Sequence, residues 1–337
     1  MGMLRNLWTR TKAWFARLFR RPEPAPGRFE PGSAFAARGW LAVRPWTPPS
    51  REYLVYVPRG HARWGFAKVP LIVLLHGCKQ TPEDIATGTR IAALADELGC
   101  LVLLPRQREG ANPYGCWNWF DGPTATGWGE AALVAAQIRK VLDGYRVDRR
   151  RVFVAGMSSG AALAAVMGLR HPDLVAGVFA HSGVACGAAA SPLGALGVLK
   201  RGAERDVVGL ALVAARAAQP DLPVPVCVVQ GASDAVVAPV NAAQLVRQYL
   251  ALNGHPALGQ GAASDLPPPD EQSEGSEGER RLTRSDWRLK GRLVARHILV
   301  DGLGHAWSGG DAALPYNDAA PPDATALLGA FVREVGS

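Results

Sequence analysis

The sequence predicts an α/β protein built on a mostly parallel sheet with helices on both faces. Short Val-, Leu- and Ile-rich runs are apolar along most of their length, as strands buried on both faces are. Helical patterns separate these runs, as the crossovers of a parallel sheet require. Composition agrees, since 337 residues that are 48% hydrophobic and 20% charged make an ordinary globular chain.

In chain order, Tyr53 to Val57 reads as a strand and Leu71 to Leu75 (LIVLL) as a fully buried one. Strands follow at Leu101 to Leu104, Val152 to Ala155, Ala176 to Ala180, Val224 to Val229 and Leu293 to Val300. Helical patterns fall at Ile91 to Leu98, Glu130 to Leu142, Ala161 to Leu169 and Asn241 to Leu250. Gly254 to Arg281 breaks the rhythm. It contains LPPPDEQSEGSEGE, almost without large apolar groups, and is expected to be a mobile acidic surface insertion. The catalytic domain is expected to occupy residues 51–337 and an N-terminal extension residues 1–50.

The formal charge is +8, but residues 1–50 hold nine basic and two acidic side chains and so carry +7 of it. The body is nearly neutral, so no nucleic-acid partner is expected. Within the extension, Leu4, Leu7, Trp8, Thr11, Trp14, Phe15, Leu18 and Phe19 recur at helical spacing, with Arg5, Lys12, Arg20 and Arg21 mostly off that stripe. Two readings stay open: a helix packed on the body or extending from it, or a peripheral membrane contact through residues 1–21. Charges at Arg10, Lys12 and Arg17 interrupt any secretory h-region, and no apolar run reaches the roughly 18 to 20 residues of a membrane span. Cys78, Cys100, Cys116, Cys186 and Cys227 are scattered and lack CxxC pairs, so no structural zinc is expected, while one isolated disulfide stays open.

Val152 to Gly160 (VFVAGMSSG) holds a G-x-S-x-G pentapeptide at Gly156, Ser158 and Gly160. The pentapeptide alone is weak evidence. Here it lies between an apolar strand and a helical run of small residues, the setting of a nucleophile elbow that lifts a serine Oγ above the sheet. A serine hydroxyl needs a general base, and the base needs a carboxylate, in the chain order Ser, acid, His for this arrangement. Asp234 follows the Val224 to Val229 strand and fits the acid, although a turn or capping role is a common use of such an Asp. Asp221 precedes that strand and would sit at the opposite sheet edge. His305, in a glycine-rich loop after the last strand, fits the base, whereas His181 comes too early in the chain. Two backbone N–H donors should hold the oxyanion: Ser159, directly after the nucleophile, and Cys78, in the His76-Gly77-Cys78 loop after LIVLL.

HGCKQT, CWNWF at Cys116 to Phe120, GMSSG, GASDAVV and GLGHAWSGG, in that order, resemble the short-chain polyhydroxyalkanoate depolymerase family of esterases. That family also includes feruloyl and acetylxylan esterases. The resemblance spans roughly Arg51 to Asp318 and implies an α/β-hydrolase fold with serine-dependent ester hydrolysis by Ser158, Asp234 and His305. It implies that Trp117, Asn118 and Trp119 lie near the cleft, with Trp307 of GHAWSGG counted among the substrate contacts, and that Cys78 and Cys116 pair as a disulfide. The implied substrate is a short hydroxyalkanoate oligomer, a polymer or a small acyl ester, with no metal and no organic cofactor. The alternatives are a feruloyl or acetylxylan esterase, or a membrane-associated binding protein on the same fold. Location follows the resemblance to the extracellular space or periplasm, against a cytoplasmic or membrane-peripheral place on the extension's sequence.

Overall fold

The computed structural model describes residues 25–36, 50–61, 67–218, 223–259 and 265–337. The amphipathic helix expected in residues 1–21, and the membrane contact with it, lies outside the described residues. The strands are β1 (Arg28–Phe35), β2 (Ser50–Val57), β3 (Val69–Leu75), β4 (Leu101–Pro105), β5 (Val147–Met157), β6 (Gly177–His181), β7 (Val226–Gly231), β8 (Glu271–Glu277), β9 (Arg280–Leu289), β10 (Arg292–Val300), β11 (Trp307–Ser308) and β12 (Asn317–Asp318). The helices are α1 (Pro82–Gly88), α2 (Ile91–Leu98), α3 (Gly122–Ala125), α4 (Gly129–Gly144), α5 (Ser159–Arg170), α6 (Pro192–Arg201), α7 (Val207–Ala218), α8 (Val240–Leu252) and α9 (Ala324–Val335).

Ten strands form one sheet in the order β1-β2-β4-β3-β5-β6-β7-β10-β9-β8, with β11 and β12 paired separately. The central strands from β4 to β10 run parallel, and antiparallel pairs close both flanks. Alternate residues of the central strands feed two cores. Leu71, Val73, Val154, Val178 and Val228 pack under α4, α5 and α8; Ile72, Leu74, Phe153, Phe179 and Val229 pack under α2 and α9. Burial of both faces is what makes these strands read as continuous apolar runs.

Two expectations are corrected at the sheet edges. The boundary at residue 50 moves, because β1 pairs with β2 from Arg28↔Val57 to Phe35↔Ser50. Its mixed RFEPGSAF text includes Pro31, which an edge strand tolerates because one side of its ladder needs no donor. The segment expected to be a mobile insertion contains β8, which pairs with β9 from Glu271↔Asp286 to Glu277↔Arg280. β8 is exposed throughout, so no apolar alternation marks it. Its charges discourage pairing with another chain at that edge.

Beside β8 lies a buried ionic cluster. Arg296 Nε and Nη2 donate to the two oxygens of Asp286, both at 2.7 Å. Arg284 donates to the same carboxylate, and Arg296 Nη1 reaches Glu334 of α9 at 2.8 Å. Burial alone would raise the Asp286 pKa, but the guanidinium groups of Arg296 and Arg284 hold it down, at about 2.

Candidate active site

Ser158 joins β5 to α5 with φ 56° and ψ −120°, a conformation that a non-glycine residue adopts only when its surroundings impose it. Gly156 and Gly160 make the turn feasible by close approach. A Cβ on Gly156 would lie 2.5 Å from the Gly160 carbonyl carbon, and one on Gly160 would lie 2.2 Å from the Leu75 oxygen. Here the G-x-S-x-G spacing is a steric requirement. The Ser158 N–H donates to the His181 carbonyl at 2.9 Å, which fastens the elbow to β6.

Asp234 stands in the loop after β7, its side chain fully buried. Its Oδ1 accepts the N–H groups of Val236 and Val237 at 2.9 and 2.8 Å, and its Oδ2 lies 2.8 Å from His305 Nδ1. Burial would raise the Asp234 pKa, but the bond from His305 and the two backbone donors outweigh it and hold the pKa below the ordinary value. An ionised carboxylate accepts only, so His305 Nδ1 is the donor and the neutral ring leaves Nε2 with a lone pair.

The His305 loop is braced from outside. Arg90 Nη2 donates to the Gly309 and Gly310 carbonyls at 2.6 and 3.1 Å, and Trp307 Nε1 to Thr325 Oγ1 at 3.0 Å. Beneath it, His181 at the end of β6 stacks on Trp307 with ring centroids 5.2 Å apart. Burial pushes the His181 pKa down to about 3, so this ring is neutral and does not compete with His305 for Asp234. Among the described residues no hydrogen bond joins Ser158 Oγ to His305 Nε2, a contact that is often long until substrate arrives.

The loop after β3 carries the second expected oxyanion donor. Gln80 Oε1 accepts the Gly77 N–H at 2.8 Å, and the Tyr114 carbonyl accepts that of Lys79. Among the described residues the N–H groups of Cys78 and Ser159 have no protein acceptor. Cys78 and Cys116 are joined by a disulfide, with an S–S distance of 2.08 Å. Ser159 Oγ lies 3.5 Å from Cys78 Sγ and accepts the Trp117 N–H at 3.4 Å. Elbow, oxyanion loop and CWN segment are thereby tied together.

The residues expected near the cleft are packed around the loops of the site, Trp117 by its backbone N–H against Ser159. Trp117, Trp119 and Trp307 are all at most 5% exposed. Trp117 Nε1 donates to the His76 carbonyl at 3.0 Å. Asn118 spends its side chain on scaffolding: Nδ2 donates to Glu130 and to the Ala111 carbonyl, and Oδ1 accepts from Asn112. Trp117, Asn118 and Trp307 hold loops that carry the site, because an indole or amide enclosed by protein must find its partner there, while Trp119 packs edge to face on Phe120. Sequence reading missed Glu130, whose buried carboxylate gathers Gln107 and both Asn118 donors; burial raises its pKa. A lone acid in the first turn of an apolar helical run was the available signal. A concavity of about 970 Å³ lined by Phe35, Trp128, Arg139, Lys140 and His171 includes none of the site residues. The chemistry is assigned by the Asp234–His305 bond and the elbow, not by that hollow.

A strained serine after the fifth strand, with an acid after β7 and a histidine after β10 brought into contact at the carboxyl edge, defines the α/β-hydrolase fold. The family model described as "Esterase PHB depolymerase" matches residues 51–265, and the chain belongs to that family. Ser158, Asp234, Cys78 and Cys116 lie inside that span, and His305 lies beyond it. Poly(3-hydroxyalkanoate) depolymerase C of Paucimonas lemoignei is 30% identical over 211 residues, 61% of this chain and 50% of that protein. Acetylxylan esterase A of Emericella nidulans is 29% identical over 176 residues, 51% of this chain and 52% of that one. This chain thus spans about half the length of the curated relatives it matches. The structure of an acetyl xylan esterase from Aspergillus awamori superposes with a TM-score of 0.60 at 21% identity, over 76% of this chain and 89% of that one, a likeness of fold.

Proposed function

We propose that the protein is a serine carboxylic ester hydrolase with Ser158 as nucleophile, His305 as general base and Asp234 as its orienting carboxylate. The observation that carries this reading is the 2.8 Å His305 Nδ1–Asp234 Oδ2 bond beside a serine in the strained elbow conformation. His305 Nε2 takes the Ser158 proton as Oγ attacks the ester carbonyl. The oxyanion accepts from the Cys78 and Ser159 N–H groups, each worth about 10²- to 10³-fold in rate. His305 then protonates the leaving alkoxide. Water, deprotonated by the same ring, releases the acyl group from Ser158.

For substrate, we propose short hydroxyalkanoate oligomers and small acyl esters. An apolar rim supports this. Leu193 and Leu196 sit three residues apart on α6 and are 79% and 63% exposed. One helical turn further, Lys200 Nζ donates to the Ala235 carbonyl, and the Ala238 N–H donates to Leu199, so this helix abuts the loop that carries Asp234. Exposed Val236 extends the apolar face. A hydrophobic approach suits an aliphatic polyester chain better than a polyol. The second reading, an acetylxylan or feruloyl esterase, draws on the likeness to acetylxylan esterase A. A turnover panel of hydroxybutyrate trimer, methyl ferulate and acetylated xylan separates them. The trimer is expected to give the highest kcat/KM, and a clear preference for acetylated xylan would replace the first reading by the second.

A further inference from the structure

Tyr316 is neither in the triad nor in the oxyanion loops, yet it is built against His305. The two rings meet edge to face, with centroids 6.4 Å apart and planes at 78°, within the range of favourable aromatic pairs. The Tyr316 backbone has φ +63°, a region where a bulky side chain is an outlier. Its carbonyl accepts the Trp307 N–H at 2.8 Å, two residues beyond His305, in register with the β11–β12 pair. Next to it, Asn317 Nδ2 donates to the carbonyls of Leu314 and Pro315 at 3.3 and 3.1 Å and so closes the turn that forces Tyr316 into this conformation. Arg280 fastens the far end through Asp318 at 2.6 Å. A costly backbone state, braced on both sides and ending in a ring against the histidine, marks a constraint on that histidine.

We propose that Tyr316 is a positioning residue for His305, its ring restricting the imidazole to the rotamer that keeps Nδ1 on Asp234. The inference rests on the reading of His305 as general base. The ring acts through shape, so the phenolic hydroxyl is dispensable. Alanine and leucine meet the same positive φ as tyrosine, so differences among these variants report the ring and not the backbone.

The test compares Tyr316→Phe, Tyr316→Leu and Tyr316→Ala for kcat and KM on p-nitrophenyl butyrate, with thermal unfolding and the low-field proton NMR signal of His305 Nδ1–H. Tyr316→Phe should keep parental kcat and the signal. Tyr316→Leu fills the same partly buried space without a flat ring; it should stay folded and lose up to about 10²-fold in kcat with KM little changed, the scale of a small misplacement of a catalytic group. Tyr316→Ala should follow it, and in both the low-field signal should broaden or vanish. Parental kcat in folded Tyr316→Leu, or equal losses in Tyr316→Phe and Tyr316→Ala, would overturn the proposal. If instead the parent protein turns over no ester, the reading of His305 fails before that of Tyr316.

Discussion

Replacing Asp234 by Asn is expected to lower kcat on p-nitrophenyl butyrate by about 10⁴-fold with the fold intact, as expected for loss of the carboxylate that sets the histidine tautomer. The hydrogen bonds dictate this. Oδ1 of Asp234 already accepts two backbone N–H groups, so an Asn side chain keeps its carbonyl there. Its NH₂ group then faces His305 Nδ1, which must become the acceptor. The ring proton moves to Nε2, the nitrogen that should take the Ser158 proton. A loss smaller than about tenfold would mean that the 2.8 Å bond does not set the tautomer.

The second large effect concerns stability. Asp286→Ala is expected to destabilise the fold by about 3 kcal/mol, near the low end for breaking a buried pair, because Glu334 still accepts from Arg296 Nη1. Arg296, with its side chain 5% exposed, would keep its charge without its bidentate partner. The pH dependence has a definite sign. A carboxylate whose folded pKa is about 2 contributes fully above the ordinary aspartate value and loses that contribution as pH falls toward the folded value. The parent should therefore lose stability between roughly pH 4 and 2, starting near the ordinary aspartate pKa, and Asp286→Ala should show a flatter profile there. Urea midpoints with an unchanged m value test both statements. If the double variant Asp286→Leu/Arg296→Met were less stable than the single Asp286→Ala, the cost would lie in lost packing and not in a stranded charge.

The sheet's centre was legible because strands buried on both faces have nowhere to place a polar residue; LIVLL and the run ending at Gly156 are such strands. The elbow was legible because Gly156 and Gly160 leave no room for a Cβ. Asp234 and His305 followed from chain order and from the edge at which a post-strand loop emerges. The edge strands were not legible. β8 is polar on both faces and β1 carries Pro and Gly, so hydrogen bonding to a neighbouring strand, not apolar burial, decides their state. The roles of the aromatic residues near the motifs were not legible for a related reason. A tryptophan beside a catalytic loop reads alike whether it meets substrate or carries the loop, and only burial and the Nε1 partner distinguish the two. Tyr316 was invisible because nothing in PYND marks a residue held at positive φ by its neighbours.

The proposed function stands or falls on the reactivity of one hydroxyl. Incubating the folded protein with a fluorophosphonate and mapping the adduct by peptide mass spectrometry tests this directly, since only an activated serine is phosphonylated at an appreciable rate. A single adduct on Ser158, absent in Ser158→Ala, is the expected result. An unlabelled Ser158 in the folded parent, or an adduct confined to another residue, would contradict it.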